Sequence, residues 1–72
     1  AMSHYGEWLA ALDAELMATH GVESKDVPGF DPSEFYRADP YDVGYAWQAA
    51  SEQLDELAVY MAFLMGIFIG GS

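Results

Sequence analysis

Residues 39–69 read DPYDVGYAWQAASEQLDELAVYMAFLMGIFI, and this stretch decides the fold. Asp39-Pro40 opens it with helix-start chemistry. A proline at the first helical position has no N–H to waste, and an aspartate beside it caps the chain. Val43, Trp47, Ala50, Leu54, Leu57, Met61, Leu64 and Phe68 then recur at alternating steps of four and three, an unbroken heptad seam. The spacing predicts a long helix over about 40–67. Up to Glu56 the face opposite the seam is polar, with Gln48, Ser51, Glu52 and Asp55. Beyond Glu56 the helix is apolar all round, which demands burial on more than one side.

All twelve acids and both basic residues, Lys25 and Arg37, precede Leu57. The uncharged segment carries nine large apolar side chains: Leu57, Val59, Met61, Phe63, Leu64, Met65, Ile67, Phe68 and Ile69. Burying them is worth roughly 13–27 kcal/mol at about 1.5–3 kcal/mol each. Left wet, such a surface is sticky. Self-association is therefore expected through Leu57, Met61, Leu64, Met65 and Phe68, giving a homo-oligomer. The alternative is lipid, with the apolar C-terminal helix as a membrane anchor. The run from Leu57 to Gly71 is shorter than the roughly 18–20 residues a span needs, and no Lys or Arg flanks it.

Working back toward the N-terminus, Asp31-Pro32-Ser33-Glu34 carries the same start signal and predicts a short helix over 32–37. Tyr5, Trp8, Leu9, Leu12 and Leu16 recur at helical spacing, with Ser3 placed to cap and Gly21 to terminate, so a helix is predicted over 4–20. Between them lies a loop in which Ser24 can cap a single turn and Pro28-Gly29 turns the chain, with Val22, Val27 and Phe30 as apolar plugs. The expected architecture is all-α: one small domain, a helical hairpin with a short connecting helix. The first helix should lie antiparallel on the first half of the third, with Trp8, Leu12 and Leu16 against Val43, Trp47 and Leu54. Ala1 before Met2 reads as a cloning remnant, and residues 70–72 as native or linker.

At 72 residues the chain is marginal without help, and with no cysteine it has neither disulfide nor thiolate. Oligomerisation is the remaining aid. A net charge of −10 repels phosphates, so direct nucleic-acid binding is not expected. A basic or nucleic-acid-binding protein partner is favoured in encounter rate. The N-terminus shows no basic region followed by an apolar stretch, and the expected location is the cytoplasm.

His4 and His20 stand roughly 24 Å apart at opposite ends of the first helix and cannot share a metal within one chain. No nucleophile motif, glycine-rich phosphate loop or calcium-loop spacing is present. Neither an active site nor a cofactor is read. The candidate partner-binding residues are Tyr36, Tyr41 and Tyr45 with Asp39 and Asp42, tyrosines among acids at a helix junction. A further possibility is a DNA-mimic inhibitor using Glu7, Asp13, Glu15, Glu23, Asp26, Asp31, Glu34, Asp39 and Asp42 as stand-ins for phosphates.

Trp8-Leu9 with Asp13, then Gly21, Asp26-Val27-Pro28, Phe35 and the Asp39-Pro40 start follow one another in an order that resembles short uncharacterised proteins of tailed phages and prophages. The resemblance covers about residues 5–50. That group usually has a glycine before the proline-started helix, where this chain has Ala38-Asp39, and usually stops soon after it. The resemblance implies a phage origin, hence an accessory or anti-host factor that binds and modulates a protein of the host cell. It transfers no functional residue.

Overall fold

A computed structural model describes residues 3–66. It is all-α: α1 spans His4–His20, a single 3-10 turn spans Ser24–Asp26, α2 spans Pro32–Ala38 and α3 spans Gly44–Leu64. Helix α1 has the predicted bounds. Ser3 Oγ accepts from the Gly6 N–H at 3.0 Å. Gly21, at φ 73°, donates to the carbonyls of Leu16 and Met17, a left-handed stop that a side chain would strain. Helix α2 starts as expected, with Asp31 Oδ1 accepting from the Ser33 N–H at 3.1 Å.

Helix α3 corrects the expected start at Pro40: it begins at Gly44. Locally Asp39 behaves as Asp31 does, its Oδ1 accepting from the Tyr41 N–H at 3.1 Å. Yet Asp39 ends α2 instead of opening α3. The reason lies far away in sequence. The Trp8 indole N–H donates to the carbonyls of both Asp39 and Asp42, at 3.1 and 3.0 Å. The Asp39 carbonyl, which would accept the first helical bond from Val43, faces Trp8. The Val43 N–H goes to Asp42 Oδ1 at 2.9 Å. Regular bonding starts only when the Trp47 N–H reaches the Val43 carbonyl at 2.8 Å. At the other end α3 stops at Leu64, short of 67, because Gly66 turns left-handed at φ 72°.

The expected antiparallel packing of α1 on α3 is also corrected. Contacts between them ascend together: Trp8 binds the Asp42 carbonyl, Trp47 Nε1 donates to Thr19 Oγ1 at 3.1 Å, and His20 Nε2 bonds Ser51 Oγ at 2.9 Å. Helices α1 and α3 thus run in the same sense. The short α2 returns the chain to the start of α1, where Tyr36 meets His4.

The core is Trp8, Leu12, Leu16, Val27, Ala46 and Ala50, with Val22, Phe30, Val43, Trp47 and Leu54 packed half-buried against it. From α3 the deepest residues are the alanines, one of them off the seam. Small side chains let α1 close on α3, and the large seam residues flank the contact. Asp13, off the apolar stripe, ties down the loop by accepting from the buried Ser24 N–H at 2.8 Å. Removing that acceptor leaves a buried donor unmatched, a cost of about 1–3 kcal/mol. Asp13→Ala is expected to lower the thermal midpoint by several degrees, whereas Glu15→Ala, exposed on the same helix, leaves it in place.

Past Leu54 nothing of the body accompanies α3. Val59, Tyr60, Met61, Phe63, Leu64 and Met65 are all more than half exposed, from 51% at Met61 to 70% at Phe63. The overhang stretches the molecule to 53 Å against 21 and 16 Å across. Phe68 and the rest of the run from 67 lie outside the described residues. Among the described residues no helix is long and apolar enough to cross a membrane.

Candidate interaction surface

Four of the five predicted partner-binding residues gather at one end of the body. Tyr36, Asp39, Tyr41 and Asp42 surround the start of α1. Tyr36 is half-buried there: its Oη lies 2.7 Å from His4 Nδ1, a hydrogen bond, and its ring meets Tyr5 and Trp8 edge-on at 4.9 and 5.3 Å. These edge-to-face pairs each add about 0.5–1.5 kcal/mol beyond area burial. Tyr36 therefore builds the platform. Asp39 shapes the turn, its carboxylate holding the Tyr41 N–H. Tyr45 is the residue the structure leaves elsewhere: it packs edge-on against Phe35 at 5.1 Å, and Phe35 stacks on Phe30 at 5.1 Å.

Tyr41 is the most exposed of the three tyrosines. It is 89% exposed, with its ring 6.4 Å from His4. It sits on the turn that the Trp8 indole grips from below, between the two carbonyls that accept from it. His4, Glu7, Trp8, Pro40, Tyr41 and Asp42 line an open notch of about 280 Å³. That falls below the roughly 300–1,000 Å³ of sites that enclose small molecules. The notch is shallow, with an aromatic lip at Tyr41 and the carboxylates of Glu7 and Asp42 on its rim.

Sequence reasoning missed the Trp8 grip, because indole donation to carbonyls more than thirty residues away leaves no local signal. Five of the nine acids considered as phosphate stand-ins, Asp13, Asp26, Asp31, Asp39 and Asp42, each accept a main-chain N–H. Each histidine holds a hydrogen-bond partner, Tyr36 for His4 and Ser51 for His20. Among the described residues no three His, Asp or Glu side chains converge as metal ligands would.

The predicted self-association residues Leu57, Met61, Leu64 and Met65 share the overhang of α3, Leu57 half-buried and the other three exposed. Beside them Val59, Tyr60 and Phe63 form a second apolar strip, edged by Asp55 and Glu56. No protein-family model matches the chain, and no curated protein or solved structure matches it either.

Proposed function

We propose that this chain is a small non-enzymatic interaction protein that binds a protein partner through the Tyr41–Asp42 end of its body. One observation carries the reading: a fully presented tyrosine on a turn whose carbonyls are gripped from beneath by a buried tryptophan. A tyrosine on a backbone turn fixed before binding has only its two side-chain torsions to order on docking, which is what favours such residues as anchors. The net charge of −10 favours a basic partner and speeds its approach. The resemblance of residues 5–50 to phage proteins makes a host protein the natural partner and an accessory or anti-host role the setting.

Tyr41→Ala tests the reading, since so exposed a side chain contributes little to folding. Truncating a central anchor costs about 2 kcal/mol or more, roughly a thirtyfold loss of affinity. Affinity capture from host lysate is expected to retain a defined protein at low salt and release it at high salt. Tyr41→Ala should lose that protein while its circular dichroism spectrum is unchanged. Equal capture by the variant refutes the assignment of the surface.

A further inference from the structure

Helix α3 continues its heptad past the point where its own chain stops covering it. Leu54, half-buried against the body's own core, is followed by Leu57, Met61 and Leu64 at successive core positions of the repeat, conventionally a and d. The flanking positions, e and g, hold Ser51, Gln53, Ala58, Tyr60 and Met65, none of them charged. The only charges on α3 are Glu52, Asp55 and Glu56, and they take the three outward positions b, c and f. A helix meant for a basic groove carries its acids at the flanks of the seam, where they reach the partner's cations. Here the acids point away from the seam, so a second strongly acidic chain can dock on it without setting like charges face to face.

The rest of the fold selects the direction of that docking. Helix α1 covers the seam as far as Ser51, where His20 bonds it, and ends there. A second copy laid parallel would bring its own α1 against the stretch the first α1 already occupies. Every Asp, Glu, Lys and Arg of the chain lies before residue 57, so parallel pairing would also press two acidic bodies side by side. Laid antiparallel, the partner's overhang takes the line that α1 vacates, and the bodies sit at opposite ends. An overlap from Leu54 to Leu64 is about 15 Å long. That exceeds the roughly 8 Å Debye length at physiological salt, so the remaining repulsion between bodies is largely screened.

We propose that two copies of this chain pair tail to tail, antiparallel, through Leu54, Leu57, Met61 and Leu64, with Leu57 of one against Met61 of the other. The two-fold axis lies level with Val59, and Ala58, Tyr60 and Met65 widen the contact. So short an overlap belongs with interfaces below about 1,200 Å², which are weak, so the dimer forms at micromolar concentration. This proposal does not depend on the Tyr41 surface.

Sedimentation of the full chain is expected to show a micromolar monomer–dimer equilibrium, held or strengthened by added salt. Met61→Glu places two like charges in the seam, outside the folded body, and is expected to weaken the dimer at least about a hundredfold while helicity persists at high concentration. These 72 residues include no cysteine, so single cysteines read direction cleanly. An equimolar mixture of Leu57→Cys and Met61→Cys copies is expected to yield the mixed disulfide in severalfold excess over either self-linked product. A monomer at high micromolar concentration, an unaltered equilibrium for Met61→Glu, or efficient self-linking of Leu57→Cys alone would each overturn the proposal. So would a monomer that co-sediments with phosphatidylcholine vesicles through the same residues.

Discussion

Trp8→Ala is expected to unfold this protein at room temperature. The side chain is one of six buried apolar residues that form the core among the described residues. Truncating a buried Trp or Phe costs about 3–5 kcal/mol in cavity and transfer terms. A single small core rarely supplies more than about 3–5 kcal/mol of net stability, so that loss alone reaches the whole margin. The indole also holds the carbonyls of Asp39 and Asp42, and its removal frees the turn that joins α2 to α3. The measurement is far-ultraviolet circular dichroism, with the variant losing most of its helical signal. Trp8→Phe separates the two roles. It keeps most of the apolar volume and drops the donor, so it should stay folded but weaker by about 1–3 kcal/mol. A Trp8→Ala variant that melts like the parent would mean that the core is not where the fold places it.

Leu16→Ala is expected to come next, at about 2–5 kcal/mol. Leu12 and Leu16 are the largest side chains with no exposure at all. Leu16 also belongs to the last turns of α1, where the Gly21 N–H bonds its carbonyl. A cavity there weakens packing and helix end together. Met17, its neighbour in sequence, is half exposed, and Met17→Ala should change the midpoint of a urea titration little. Comparable loss in the two variants would contradict the assigned face of α1.

Much of this fold is legible in the sequence, and the exceptions share one cause. Both ends of α1 are written locally, in Ser3 and Gly21, and the apolar stripe between them names Trp8, Leu12 and Leu16 as core. Asp31-Pro32 and Asp39-Pro40 carry the same signal and even form the same side-chain bond to the N–H two residues on. Only the first grows into a helix directly, because a tryptophan in another helix claims the carbonyl that the second needs. A distant contact overrides a local preference, and no window along the chain contains both partners. Helix α3 accordingly starts at Val43-Gly44 with no side-chain cap, a start no propensity announces. The buried alanines follow the same logic. Hydrophobic size points to Trp47 and Leu54, whereas close approach of two helices requires Ala46 and Ala50. The direction of α1 against α3 was hidden too, since it depends on α2 running back along the body. At the candidate surface, sequence located the tyrosine and aspartate cluster but not its division of labour, in which Tyr36 supports, Tyr41 presents and Tyr45 lies apart.

The overhang of α3 has one more consequence. Starting a helix is the costly step, because several residues must be fixed before the first bond closes, and short isolated helices in water are marginal for that reason. Residues 57–64 do not face this barrier. They extend a spiral already nucleated by the stretch that Ala46 and Ala50 clamp onto α1, and each further residue adds its bond cheaply. The body is thus a template for its own tail, offering a greasy rod in ready-made shape to whatever it meets.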